Sequence, residues 1–451
     1  VLHTHSRLII KSLYVCFALL ACFLRFYQLG DIPKPAFDEV YFARFSYLYI
    51  QETPFYHSHP PLAKYVMMAA IKLYYAMPFT ESIDFANTEF EQLNPLSYRW
   101  INAVLGVLTC LMLAKIVHLL FNQHSLTLLV FAFTSIDGSL VVASRFALSN
   151  AHILFWGVLS LLWLILLLKR PCWFYLIALA LSLAAVVSVK WNGAVFIVIV
   201  ISSLLCTYYG RFNSTELSLK TIAHKKFWIY LIGLVTIIPV VYTLVWIPDL
   251  KLNQKYDFIE THQQFFSYHK DRVSTDAHPY CSKWYSWPLM YRPISYHFEK
   301  IKDPQSKQTT CFKNIHSFGN PFLYWFSFIS VLAVTARLIW LAVSKPALLS
   351  TSNNHFLLFA TGGYFASWLP WSMVSRCTFL YHYQAAACFS FIIFAFVLNH
   401  CLRSKNKTAY MIAIILLAVI GWAFIYWLPF QLGIPVSKEG FYARMWFSHW
   451  I

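Results

Sequence analysis

Apolar positions dominate this chain in long runs, separated by short basic connections and two long mixed segments. Runs near 8–29, 98–120, 125–143, 150–168, 172–188, 193–209, 227–247, 322–343, 355–373, 378–399 and 409–428 are each mostly apolar. A helix needs about twenty such residues to cross a bilayer, so these runs predict about eleven transmembrane helices. The first run lacks a small-residue cleavage site and reads as an anchor rather than a signal peptide. Two further stretches differ in character. Residues 37–50 space Phe37, Tyr41, Phe45 and Leu48 along one helical face, and 61–79 is apolar but interrupted by Lys64 and Lys72. Both read as amphipathic helices lying on the membrane surface. The fold class expected is therefore an all-α integral membrane protein forming one domain, 1–451.

Composition supports that class. With 59% hydrophobic and 12% charged residues, a soluble domain of 451 residues would lack the charged surface it needs. A net charge of +17 could suit nucleic acid. Here, however, the basic residues flank apolar runs in short loops. Arg7 and Lys11, then Lys169 and Arg170, then Arg211, Lys220, Lys225 and Lys226, then Lys345, then Arg403, Lys405 and Lys407 fall in alternate connections. Cytoplasmic loops carry such an excess. The expected partners of this surface are membrane lipids, not nucleic acid. With an odd number of spans the N-terminus lies in the cytoplasm and the C-terminus outside. The segments 30–97 and 248–321 and the tail 429–451 then share the extracytoplasmic side. No repeat of fixed period is visible, which gives an inverted-repeat transporter no support.

Among ten cysteines no zinc-type spacing occurs. Cys281 and Cys311 share the second outer segment, so a disulfide between them is one option if that side is oxidising.

The chemistry concentrates in the outer segments. Adjacent acids Asp38 and Glu39 open the 37–50 helix. First-turn acids favour a helix dipole, which is a purely structural use. Alternatively, one carboxylate near the water–lipid boundary serves as a general base toward a hydroxyl. In His57-Ser58-His59-Pro60-Pro61 the prolines mark a helix start; His59 could equally donate to a phosphate or sugar. Arg99, Arg145, Lys190 and Arg376 lie near outer membrane boundaries, against the orienting rule. Snorkelling accounts for each singly. Four together suit an anionic lipid-linked group, most naturally a phosphate. The aromatic stretch from His278 to Glu299 fits either a membrane interface or contact with sugar or peptide.

In order along the chain stand FDEVYF, SHPPLAK, SYRWINAVLG, DGSLVVASRFAL, VKWNG, HPYCSKWYSWPLMYRP, SRCTFLYHY and YARMWFSHWI. With this set the chain resembles the protein O-mannosyltransferases, membrane glycosyltransferases of the GT-C type. The resemblance implies inverting transfer of mannose from a polyprenyl-phosphate carrier to Ser or Thr hydroxyls of secreted or membrane proteins. It implies Asp38 as catalytic base with Glu39 as its essential neighbour, and roles for His59 and Arg99. It further implies a donor pocket drawing on Arg145, Lys190, His278, Arg292, Arg376 and His382. The lipid-linked sugar is a co-substrate; nothing in the sequence demands a metal or another cofactor. Two departures stand out. Tyr41 occupies a position where eukaryotic members often carry His, and the 248–321 loop is too short for their β-trefoil insertion. The chain thus looks like a bacterial-type member of the plasma (inner) membrane. The acceptor, the length of the carrier and dimerisation are left open by the sequence. A GT-C transferase acting on a lipid or glycan acceptor is the rival enzyme; a lipid or sugar transporter is the rival from another class.

Overall fold

The computed structural model describes residues 2–208, 224–269 and 278–451. Two of the orienting cations, Arg211 and Lys220, fall outside the described residues. Helices occupy every predicted run. The first is α1 (Leu2–Phe26), followed in the segment 30–97 by α2 (Glu39–Ile50) and α3 (Leu62–Tyr75). Then come α4 (Leu96–Phe121), α5 (His124–Ile136), α6 (Gly138–Arg145), α7 (Ser149–Lys169), α8 (Trp173–Val189), α9 (Ala194–Tyr208) and α10 (His224–Leu252). The segment 248–321 holds α11 (Phe258–Ser267), β1 (Ile294–Lys302) and β2 (Thr309–Ser317). The chain finishes with α12 (Pro321–Ser344), α13 (Ser352–Trp368), α14 (Gln384–Leu402), α15 (Lys407–Leu432), β3 (Val436–Ser437) and α16 (Lys438–Arg444).

Among the described residues eight helical segments are long and apolar enough to span a membrane. The run expected at 125–143 is not one straight helix: α5 and α6 meet at a 55° bend. The break sits at Asp137-Gly138, and both loose ends are satisfied internally. The Thr134 and Ser135 carbonyls accept hydrogen bonds from buried Arg25 of α1 at 3.2 and 3.3 Å. The Asp137 carboxylate caps α6 by accepting from Leu140 N at 3.0 Å, and also accepts from Asn320 N at 3.1 Å. An interrupted helix inside a membrane requires such partners, because no water is there to supply them. A Cβ on Gly138 would lie 2.1 Å from the Phe318 carbonyl, so only glycine allows this approach to the β2–α12 connection.

The second outer segment departs from an all-helical picture. β1 and β2 form an antiparallel hairpin, with β3 added at the β2 edge. Alternation in ISYHFEKIK buries Ile294 and Tyr296 on one face. In the turn, the Asp303 side chain accepts from Gln305 and Ser306 N–H groups at 3.0 and 2.7 Å. The core runs continuously from α2 and α3 through the helix bundle to this hairpin. The outer elements are thereby packed onto the membrane helices rather than tethered to them.

The cysteine pairing also differs from the expectation. Cys281 is bonded to Cys377, with Cα atoms 5.2 Å apart, while Cys311 on β2 is free. Shared membership of one loop is a weak guide to pairing. The fold instead brings the connection between α13 and α14 against residues 278–293.

Candidate active site

Asp38 stands immediately before α2, partly buried, and its side chain makes no cap hydrogen bond. Capping α2 is therefore not its task. Its backbone is set by Phe37, which holds a positive φ of 52°. That conformation is unfavourable for a bulky side chain and persists only where the surroundings impose it. The surroundings here are aromatic. Phe37 stacks on Tyr296 of β1 at 4.7 Å and meets His278, Phe379 and Tyr381 edge-on at 6.2–6.4 Å. Burial raises the Asp38 pKa, opposed by the nearby Lys190 and His278 charges. A carboxylate so placed is a stronger base than one in bulk water.

Glu39 has a different task. It is fully buried and paired with Arg99 of α4, Nη2 to Oε2 at 2.7 Å and Nε to Oε1 at 2.9 Å. It also accepts from Ala36 N at 2.9 Å and from Ala147 N at 2.8 Å. Arg99 uses its remaining donors on the Leu29, Ile32 and Lys34 carbonyls at 3.2, 2.9 and 3.1 Å. The pair thus ties the loop before Asp38 to α4 and to the α6–α7 connection. An arginine so fully engaged has no donor to spare for a donor phosphate.

Two other cations expected in a donor pocket are likewise elsewhere. Arg145 is buried against α1 and donates to the Leu24 carbonyl at 2.9 Å. Arg292 donates to the carbonyls of Pro279, His449 and Ile451, and its guanidinium lies over the Tyr280 ring. It fastens the tail 445–451 to the outer segment.

His59, Lys190, Arg376 and His382 line two adjoining cavities, whereas His278 stands near Asp38 and lines neither. One, of about 430 Å³, is lined by His59, Lys190, His269 and Arg376 together with Trp191 and Asn192. Lys190 and Arg376 repel each other there, and Lys190 is favoured by Asp38. Neither forms an ion pair among the described residues. Two cations facing one cavity without a paired acid make an anion site. The other cavity, about 410 Å³, shares Trp191, Asn192, Trp371 and Val374 with the first and is otherwise mainly apolar. His382 and Tyr381 stand on its wall. His382 is sandwiched by Trp371 and Tyr381, at 4.1 and 4.4 Å, and hydrogen-bonded to the Phe379 backbone at 3.0 Å. A basic cavity that shares a wall with an apolar one has the chemistry to hold an anionic group joined to a hydrocarbon chain.

His59 is stacked on His269 at 5.2 Å, and burial, then Lys190, pushes its pKa well below the ordinary value. It enters the site as a neutral ring. Its backbone is held by Lys64 of α3, which donates to the His59 carbonyl at 3.0 Å and meets His57 Nδ1 at 3.1 Å. Burial lowers the Lys64 pKa to about 8. The sequence reading treated Lys64 only as an interruption of an apolar stretch; a buried lysine beside His-Pro-Pro was the signal. Trp191 and Asn192 were within reach through VKWNG, whereas nothing local marked His269.

Residues 15–248 match the family model described as dolichyl-phosphate-mannose-protein mannosyltransferase. Residues 254–450 match the C-terminal four-transmembrane region of protein-O-mannosyltransferase. The chain belongs to the dolichyl-phosphate-mannose-protein mannosyltransferase family. Its fold is similar to that of the Saccharomyces cerevisiae protein O-mannosyltransferase Pmt1-Pmt2 complex bound to the sugar donor. That likeness has a TM-score of 0.79 at 14% identity, over 98% of this chain and 92% of that one. Dolichyl-phosphate-mannose–protein mannosyltransferase 5 of Candida albicans is 27% identical over 222 residues, 45% of this chain and 29% of its own length. The polyprenol-phosphate-mannose–protein mannosyltransferase of Mycolicibacterium smegmatis is 24% identical over 196 residues, 41% of this chain and 36% of its own. The matched part thus spans little more than a third, at most, of these curated relatives.

Proposed function

We propose that this protein transfers mannose from a polyprenyl-phosphate carrier to Ser or Thr hydroxyls of polypeptides on the extracytoplasmic side of the membrane. The observation that carries the reading is the placement of Asp38. It is a partly buried carboxylate, unpaired with any arginine among the described residues, near the Lys190 of a cationic cavity that adjoins an apolar one. In this scheme the carrier's hydrocarbon lies in the apolar cavity and its phosphate between Lys190 and Arg376. Asp38 takes the proton from the acceptor hydroxyl as that oxygen attacks the anomeric carbon. The bond to the phosphate oxygen breaks, and the two cations stabilise the charge left on the carrier. Phosphate is already a good leaving group, so no strong acid is required. Attack opposite the leaving group inverts the configuration, from a β-linked donor to an α-linked product.

The outward placement draws support from the alternating basic loops and from the Cys281–Cys377 disulfide, which needs an oxidising compartment. A bacterial plasma membrane with the N-terminus inside is the location we propose, and a dimer is one assembly open to crosslinking in membranes. The test is direct. Purified protein in detergent, given labelled polyprenyl-phosphate mannose and a Ser/Thr peptide, should yield α-mannosyl peptide. Label transferred only to a lipid or glycan acceptor would favour the rival transferase. A two-sided opening of the solubilised protein without transfer would favour a transporter.

A further inference from the structure

The segments that carry His278 and Arg376 are joined to each other rather than to the bundle alone. His278 lies three residues before Cys281, and Arg376 directly precedes Cys377. Around the Cys281–Cys377 bond, Ser282 N donates to the Thr378 carbonyl at 2.8 Å, and Thr378 Oγ1 donates to the Ser282 carbonyl at 2.7 Å. Immediately beyond the crosslink come Phe379 and Tyr381, two of the rings around Phe37. The His278 ring packs on Phe379 at 5.5 Å, so both sides of the crosslink meet again beside Asp38.

Little else fixes Arg376. Its one side-chain hydrogen bond among the described residues is a long one, 3.4 Å, to the Cys377 carbonyl. Its place at the cavity is therefore set by its backbone, which the crosslink ties down at the next residue. Neither cysteine was marked as functional by the sequence, where a bond from Cys281 to Cys311 was only one option.

We propose that the Cys281–Cys377 disulfide is a positioning element of the active site, holding Arg376 at the anion cavity and His278 at Asp38. The role attached to those two residues rests on the transferase reading above, but the crosslink itself can be tested by ligand binding alone. Dithiothreitol supplies two electrons: the sulfur–sulfur bond breaks, two thiols form, and the reagent closes to its cyclic disulfide. Once the bond is open, the hydrogen bonds that directly join the segments near 278–282 and 376–378 are the two between Ser282 and Thr378, beside the ring packing of His278 on Phe379 and Trp287 on Trp371. The anion site then loses a fixed cation.

The experiment uses the full chain in detergent and measures the affinity for undecaprenyl phosphate before and after reduction and alkylation. The same measurement is made on the variant with both Cys281→Ser and Cys377→Ser, and on Cys311→Ser as a control. Reduction should weaken binding of the wild-type protein by about tenfold, the scale of one displaced charged contact. It should leave the double variant, already weak, unchanged and Cys311→Ser affected like the wild type. The melting transition should stay cooperative, which separates loss of position from loss of fold. Should the double variant fail to fold, protein reduced after folding gives the answer by itself. Unchanged affinity on reduction would overturn the proposal. In the transfer assay, reduction should raise the donor KM more than it lowers kcat; an equal KM in both redox states would also overturn it. Absence of any transfer by the oxidised protein would sink the transferase reading, and the binding arm would still decide the role of the disulfide.

Discussion

At the scale of single residues, the neighbouring acids are separated by their surroundings. Asp38 is raised by burial, while Lys190 and His278 act in the opposite direction and Tyr296 and Tyr381 complete its ring of titratable neighbours. As a base it must be ionised, so transfer should fall as pH drops through that raised pKa. The acid limb of kcat/KM is expected above the ordinary carboxylate value of 3.8. A limb at or below that value would contradict the assignment. For stability the sign is opposite. The folded state holds the Asp38 proton more tightly than the unfolded chain, so this group's contribution declines as pH rises through the folded pKa. Glu39 and Arg99, by contrast, form a buried bidentate pair whose rupture should cost about 3–5 kcal/mol. Arg99→Lys keeps the charge but not the planar fork that reaches Glu39 and three carbonyls. It should lower the melting temperature and the transfer rate together; a fully stable and active Arg99→Lys protein would refute the tie described here.

At the scale of elements, length and periodicity made most helices legible, including both interfacial ones, because a twenty-residue apolar run in lipid has few alternatives to a helix. Three features were not read. The alternation of Ile294, Tyr296 and Phe298 with polar residues before the Asp303 turn announces a strand, but its aromatic content resembled a membrane interface. Asp137-Gly138 inside an apolar run announces a break, yet hydropathy alone averages over it. The third is long-range: a cysteine's partner depends on which loops the bundle brings together, and no local pattern encodes that. The break itself makes a prediction. Gly138→Ala pushes a methyl into the Phe318 carbonyl and the Gln431 amide and should destabilise by about 1–3 kcal/mol. Thermal unfolding in detergent measures this, and an unchanged melting temperature would show that the α5–α6 bend can relax.

At the scale of the whole molecule, the candidate site was half legible. Asp38, His59, Lys190, His278, Arg376 and His382 do gather at one end of the bundle. Arg99 and Arg145 were chosen for positive charge near a boundary and Arg292 through the family resemblance, but each serves backbone carbonyls or a buried acid. Charge can be counted in a sequence; whether it is already paired depends on the fold. What the fold adds is an apolar cavity that shares wall residues with a cationic one, and a carboxylate near the Lys190 of that cationic cavity.

That carboxylate is where the account is most exposed to test. Asp38→Asn retains shape and removes the charge, so it should bind undecaprenyl phosphate and melt no lower than the wild type, having lost a buried charge and no cap. Its rate of mannose transfer to a Ser/Thr peptide should fall by about 10²-fold or more, the usual worth of a general base. A folded, donor-binding Asp38→Asn protein that still transferred at close to the wild-type rate would contradict the central claim.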